Sequence, residues 1–135
     1  ESYIPKIKDS LKSVIGDQNP FQLCINGTGC FPKKERPRTL FLGIEGRINI
    51  MKGLLVKIEN QLEKLGFPKD HYDFSPHITL ARIKYPQKYT PNIDFFLKSS
   101  FDPIDLTLDR VQFFASELLP SGAIYTLLKT FPLGE

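Results

Sequence analysis

The stretch FSPHITLARI, residues 74–83, places a histidine and a threonine two residues apart among aliphatic side chains. A run of this kind, bounded by polar and turn-forming segments, is typical of a strand. Alternate side chains of a strand share a face, which separates the polar residues Ser75, His77 and Thr79 from the apolar residues Ile78 and Leu80. An imidazole and a hydroxyl about 7 Å apart at the backbone suit one tetrahedral anion such as a phosphate.

The spacing of His77 and Thr79 suggests a separate chemical role for each side chain but does not establish that the pair is catalytic. His77 can move a proton near neutral pH, whereas the hydroxyl of Thr79 can only donate or accept a hydrogen bond, so a catalytic reading has His77 transfer the proton and Thr79 hold the phosphate. The same three-residue pattern also fits structural or solvent-facing side chains. The surrounding sequence therefore has to decide between these interpretations.

The rest of the chain predicts an α+β fold with antiparallel sheets packed against helices. Apolar residues at helical spacing predict helices over Tyr3–Ile15, Asn49–Leu65 and Ile93–Lys98. Alternating or continuous apolar runs predict strands over Phe21–Asn26, Thr39–Gly46, Ile104–Leu118 and Ala123–Phe131. The turn-rich residues 27–38, GTGCFPKKERPR, are predicted to form a loop. Apolar parity changes across Asp109 and Arg110, which predicts a bulge or strong bend there.

Composition narrows the class of protein. A chain of 135 residues that is 41% hydrophobic and 24% charged has the size and composition of one soluble globular domain, residues 1–135. No apolar run approaches the length of a membrane span, and the N-terminal residues lack the pattern of a secretory signal, so a cytoplasmic location is expected. Two cysteines and two histidines without CxxC or HxxxH spacing predict no metal site, and no cofactor is implied.

Longer stretches carry a family resemblance. FSPHITLARI resembles the second H-x-T-x signature of the 2H phosphoesterases, in particular the RNA 2′,3′-cyclic phosphodiesterases, also called 2′-5′ RNA ligases or LigT-like proteins. GCFPKKERPRTLFLGIEG is similar to the family's Gly-x-Phe-Pro loop, Arg-Pro-Arg and following strand, and SELLPSGAIYTLLKTFPL to its C-terminal hairpin. Ala123 departs from the proline that relatives usually carry after the glycine. The resemblance covers nearly the whole chain.

The resemblance implies a two-lobed fold with antiparallel sheets lining a central cleft and helices outside. It also implies that His77 is the proton acceptor, that Thr79 binds the phosphate, and that Arg82 contributes to phosphate binding. Ser75, which shares the face of His77, and Arg38 and Tyr125, which suit RNA contacts, are further candidate substrate-binding residues. Arg82 has the parity of Ile78 and Leu80, so a regular strand would point it away from His77, and a surface ion pair is the alternative role.

The family is named for two H-x-T-x motifs, and this sequence contains one. His71 lacks a threonine two residues on and is interpreted as a surface residue. We therefore expect the domain to be N-terminally incomplete, without the segment that carries the first motif; the alternative is a natural short form with half of the site.

The function that the resemblance implies is metal-independent hydrolysis of RNA 2′,3′-cyclic phosphate ends to 2′-phosphomonoesters, with possible reverse 2′-5′ ligation. The two alternatives are a non-catalytic RNA or nucleotide-binding module and a cyclic phosphodiesterase for a small nucleotide. In the binding module, basic and aromatic side chains would track the RNA: Lys33, Lys34, Arg36, Arg38, Phe31, Phe74 and Tyr125. The oligomeric state stays open.

Overall fold

The computed structural model describes residues 2–70, 73–86 and 88–135. Within them the helices are α1 (Ile4–Gly16), α2 (Ile48–Lys64) and α3 (Asp94–Lys98). The strands are β1 (Phe21–Phe31), β2 (Thr39–Gly46), β3 (His77–Arg82), β4 (Ile104–Leu108), β5 (Arg110–Leu119) and β6 (Gly122–Pro132). The chain divides into two compact units, which we call the ribbon unit (residues 1–21, 49–73 and 107–135) and the sheet unit (residues 22–48 and 74–106).

The ribbon unit is built on the antiparallel pair β5 and β6. Helix α1 packs against β6, because Leu11 and Ile15 on its apolar face are buried, as are Phe131 and Leu133 at the end of the ribbon. The two elements are also joined through their backbones, since the amide of Gly134 donates a 3.1 Å hydrogen bond to the carbonyl of Gly16. The core of this unit thus forms where the amphipathic helix covers the base of the ribbon.

The sheet unit holds a four-stranded sheet in the order β3-β2-β1-β4, in which β2 runs antiparallel to both β1 and β3. Helix α3 lies on one face of this sheet, where the hydroxyl of Thr28 donates to the carbonyls of Phe96 at 3.2 Å and Leu97 at 3.3 Å. Thr28 pairs with Leu42, and paired residues share a face. The side chains of Thr28 and Leu42 therefore lie on the face that carries α3. Their neighbours along each strand point to the opposite face.

The predicted α+β class with antiparallel sheets is confirmed. The irregularity predicted at Asp109 and Arg110, within the predicted strand Ile104–Leu118, is confirmed as well. The strand is interrupted at Asp109: β4 belongs to the four-stranded sheet, whereas β5 belongs to the ribbon. The predicted loop over residues 27–38 is wrong in its first part, because β1 continues to Phe31. Gly27 has a φ of +78°, and the register shifts between Ile25 and Thr28, so a bulge absorbs the turn residues and the strand resumes after it.

Candidate active site

The pairing of β2 with β3 sets the geometry of the candidate site. His77 pairs with Gly43, and Thr79 pairs with Phe41. The register then shifts between Leu40 and Phe41, so that Ala81 is opposite Leu40. This leaves Leu80 as an extra residue in β3, which is a β-bulge.

The bulge changes the face on which Arg82 lies. Arg82 pairs with Thr39, and Thr39 shares its face of β2 with Phe41 and Gly43, the partners of Thr79 and His77. The prediction that Arg82 points away from His77 is therefore wrong, because it assumed a regular strand and the extra residue reverses the parity. His77, Thr79 and Arg82 all project from the face opposite α3.

The apolar residues of β3 are exposed as well. Leu80 is 55% exposed and Ile78 is 37% exposed. Strand β3 lies at one edge of the sheet order, and a bulged residue at an edge has few neighbours to cover it. The whole strand is exposed, so the candidate site is open to solvent rather than sunk in a core.

Two aromatic rings support the imidazole of His77. Phe31 and Phe41 stack with ring centroids 4.4 Å apart, and the imidazole meets Phe31 edge-on at 5.0 Å and Phe41 at 5.2 Å. Phe41 lies over Gly29, where an added Cβ would come within 2.5 Å of its Cζ atom. We call the two phenyl rings the aromatic floor; they restrict the imidazole to one region above the sheet.

A backbone contact sets the tautomer of His77. Its Nδ1 lies 2.7 Å from the carbonyl oxygen of Ser75. A carbonyl only accepts, so the hydrogen bond requires the proton on Nδ1 and leaves Nε2 with a free lone pair in the neutral ring. Ser75 thus acts on the site through its backbone, and the arrangement leaves Nε2 able to accept a proton.

Arg82 is held at the other end of this face. Its Nη1 donates a 3.2 Å hydrogen bond to Oγ1 of Thr39, which is only 8% exposed. Arg82 as a residue is exposed. The anchored arginine and the hydroxyl of Thr79 present N–H and O–H donors on the same side of the sheet as the Nε2 of His77.

Arg38 and Tyr125, the remaining predicted substrate-binding residues, lie in different units. Arg38 precedes β2, is exposed, and has its guanidinium 5.4 Å from the ring centroid of Tyr85. Tyr125 belongs to β6 of the ribbon unit, where it pairs with Ser116 and is 67% exposed. His71 lies outside the described residues.

The sequence interpretation missed the parts of the site that neighbouring strands supply. It gives Phe31 only a possible base-stacking role, and it gives Phe41 none. It did not identify Thr39 as the partner of Arg82. The alternation of Gly29 with Phe31 in GTGCF is a signal that could have located the aromatic floor, because a glycine in a strand often marks a close approach of a neighbouring group.

The surroundings of Cys24 in β1 raise the pKa of its thiol. Burial raises the pKa of the Cys24 thiol, and the carboxylates of Asp105 and Glu45 raise this pKa further. Cys24 pairs with Glu45 across β1 and β2. The thiol is therefore kept in its protonated, less reactive form.

Residues 2–70, 73–86 and 88–135 contain neither a helix that could cross a membrane nor a cluster of metal ligands. No helix there is both long enough and apolar enough to cross a membrane. No three side chains of His, Cys, Asp or Glu among the same residues gather in a way that could hold a metal ion.

The sheet presents one His-x-Thr pair and an arginine on the same face, as the resemblance to the 2H phosphoesterases implies for the second motif. The family model for LigT-like phosphoesterases matches residues 51–125. The chain belongs to the LigT-like phosphoesterase family.

Three relatives named RNA 2′,3′-cyclic phosphodiesterase align over most of the chain. The Thermotoga maritima protein is 34% identical over 129 residues, which cover 95% of this chain and 66% of that protein. The Thermus thermophilus protein is 36% identical over 118 residues, covering 84% and 56%. The Aquifex aeolicus protein is 27% identical over 135 residues, covering 99% and 72%. The chain thus spans slightly less than two thirds of the Thermotoga relative and just over half of the Thermus one.

Two solved structures share the fold of the chain. A crystal structure of a Thermus thermophilus protein superposes with a TM-score of 0.71 at 29% identity, covering 99% of this chain and 72% of that one. E. coli LigT complexed with 3′-AMP has a TM-score of 0.68 at 20% identity, covering 96% and 70%. The second likeness supports the fold alone.

Proposed function

We propose that the protein hydrolyses RNA ends bearing a 2′,3′-cyclic phosphate to 2′-phosphomonoesters, without a metal ion. The relatives' name supports the reaction. The observation that carries the proposal is the geometry of His77: Nδ1 is bonded to the carbonyl of Ser75, and Nε2 is free on the face that carries Thr79 and Arg82. A phosphate held by a hydroxyl and a guanidinium beside a proton acceptor is what opening of a cyclic diester requires.

In the proposed mechanism, Nε2 of His77 takes a proton from water while the water oxygen attacks phosphorus. The bond between phosphorus and the 3′-oxygen breaks, and the 3′-oxygen leaves as a hydroxyl after receiving a proton from a general acid. We assign that acid to the first H-x-T-x motif of the family, which this sequence does not contain. Thr79 donates to a non-bridging oxygen, and Arg82 offsets the charge that develops on the phosphate.

Further parts of the proposal concern substrate contacts and setting. Ser75 contributes through the carbonyl that orients His77, and we assign Arg38 and Tyr125 to RNA binding. Microscopic reversibility allows the same groups to join RNA ends through a 2′-5′ linkage. Because the proposed substrate is RNA made within the cell, we place the activity in the cytoplasm.

The direct test is turnover of an oligoribonucleotide with a 2′,3′-cyclic phosphate end by the full-length protein, in buffer with EDTA, with the product resolved from the 3′-phosphate isomer. We expect a 2′-phosphate product. His77→Ala should lower kcat about 10²- to 10⁴-fold, the usual contribution of general acid–base catalysis. Lys98→Gln, on α3 at the opposite face of the sheet, serves as the control and should retain wild-type turnover.

The result separates the alternatives. Binding of the RNA with no turnover by the wild-type protein would favour the non-catalytic module. Turnover only of cyclic mononucleotides would favour a small-nucleotide enzyme. Loss of activity in EDTA that added metal restores would overturn the metal-independent mechanism.

A further inference from the structure

The segment PKKERPR, residues 32–38, which we call the basic loop, connects β1 to β2. It holds four basic residues and one acidic residue, so its net charge of three equals the +3 of the whole chain. All four basic side chains are exposed, and within the described residues none of them forms an ion pair. Such a concentration of unpaired positive charge favours an anionic partner.

Tyr85 fixes the shape of the basic loop. Its hydroxyl donates a 2.8 Å hydrogen bond to the carbonyl of the buried Pro37. The guanidinium of Arg36 lies 4.0 Å from the centroid of the Tyr85 ring, and that of Arg38 lies 5.4 Å away. A guanidinium stacked on a ring keeps its N–H donors free at its edge and loses less entropy when a phosphate binds.

The basic loop continues the line of the candidate active site. The carbonyl of Arg38 accepts from the amide of Ile83 at 2.8 Å, which extends the pairing of β2 and β3 one step beyond Arg82. Arg38 is three residues from Phe41, the partner of Thr79, so the loop begins roughly 10 Å along the sheet from Thr79. His77, Thr79, Arg82 and the loop therefore follow one another along a single direction.

The opposite end of this line is acidic. Glu45 lies beyond Gly43 in β2, on the same face as His77. Glu45 is exposed. A polyanion that enters the site is thus repelled at the His77 end and attracted at the Arg82 end.

We infer that the basic loop binds the backbone phosphates of the RNA strand upstream of its cyclic phosphate end, so that the protein selects RNA oligonucleotides over cyclic mononucleotides. This inference rests on the proposed function for the terminal phosphate. A cyclic mononucleotide bound by His77 and Thr79 makes no contact with the basic loop. A longer strand reaches Arg36 and the lysines beside it and gains their attraction.

The test compares two charge-matched triple variants of the full-length protein. In the loop variant, Lys33→Gln, Lys34→Gln and Arg36→Gln remove three charges from the basic loop. In the control variant, Lys52→Gln, Lys57→Gln and Lys98→Gln remove three charges from exposed positions on α2 and α3. For each protein, kcat/KM is measured on a cyclic-phosphate-ended RNA hexamer and on a cyclic mononucleotide.

We expect the loop variant to lower the ratio of hexamer to mononucleotide kcat/KM by about tenfold or more at low salt, and the control variant to leave this ratio at its wild-type value. Each phosphate contact to a single strand adds about 0.7 to the logarithmic salt slope, so losing three contacts makes the slope for hexamer binding shallower by about 2. An unchanged ratio and slope would overturn the inference. An equal fall on both substrates would do so too, because it would show general damage to the site.

Failure of the proposed function has a different signature. If the wild-type protein turns over neither substrate, the proposed hydrolysis fails, and hexamer binding measured by fluorescence anisotropy still tests the loop. Tight binding that the loop variant weakens and the control variant does not would sustain the loop as an RNA-binding element. Binding equal in all three proteins would overturn it.

Discussion

Substitution of Gly29 by alanine tests whether the aromatic floor depends on the close approach of two strands. An added Cβ would lie 2.5 Å from Cζ and 2.7 Å from Cε1 of Phe41. Carbon atoms in ordinary contact are about 3.5–4.0 Å apart, so the tip of the ring must move roughly 1 Å. The ring is stacked on Phe31 at 4.4 Å and lies 5.2 Å from the imidazole of His77, so it cannot turn aside without disturbing both.

The magnitude follows from two opposed contributions to the free energy of unfolding. Overpacking of this kind costs about 1–3 kcal/mol. Replacing glycine by alanine within a strand returns about 0.5–1 kcal/mol through the lower entropy of the unfolded chain. The difference between these two contributions is about 0–2.5 kcal/mol. We expect Gly29→Ala to lower the free energy of unfolding by about 0.5–2 kcal/mol and the Tm by about 2–8 °C.

The assay is thermal and urea unfolding of a double-mutant cycle. Phe41→Leu removes the atoms that clash, so Gly29→Ala should cost about 1 kcal/mol less in the Phe41→Leu background than in the wild type. Gly53→Ala on α2 is the matched control, because its added Cβ meets nothing within 4 Å and should stabilise the helix by about 0.5–1 kcal/mol. Activity of Gly29→Ala should fall as well, since the displaced ring touches His77.

Two results would refute this reasoning. One is a Gly29→Ala variant as stable as the wild type or more stable, with an unchanged Tm. The other is additivity of Gly29→Ala and Phe41→Leu, which would show that the alanine does not meet the ring.

Two further predictions concern neighbouring groups. Asp105→Asn removes one of the carboxylates that raise the pKa of Cys24, so alkylation of Cys24 by iodoacetamide at pH 8 should become faster. Cys30, followed by peptide mass spectrometry in the same sample, is the control and should react at its original rate. An unaltered rate for Cys24 would contradict the electrostatic account. Arg82→Lys keeps the positive charge but loses the planar guanidinium, which can donate to Thr39 and to a phosphate at the same time, so kcat/KM should fall about tenfold. Full activity of this variant would show that Arg82 acts only as a point charge.

Local patterns predicted the helices and most of the strands. The predicted helix over Asn49–Leu65 differs by one residue at each end from α2, and β2 occupies the predicted residues Thr39–Gly46. Those signals lie within each segment, as apolar spacing and as the glycine and proline that stop it. Strand β1 ran past its prediction because a glycine that usually signals a turn instead occupies a bulge.

In the candidate site, features encoded within one segment differ clearly from features set by the pairing of strands. The sequence by itself determined that His77 and Thr79 share a face, because two residues of one strand separated by a single position do so whatever the partner strand. Only the tertiary structure decided that Arg82 joins them, since the bulge at Leu80 exists through the pairing of β3 with β2. The aromatic floor under His77 likewise comes from β1 and β2, and the proximity of residues on different strands is set by register, which no single segment encodes.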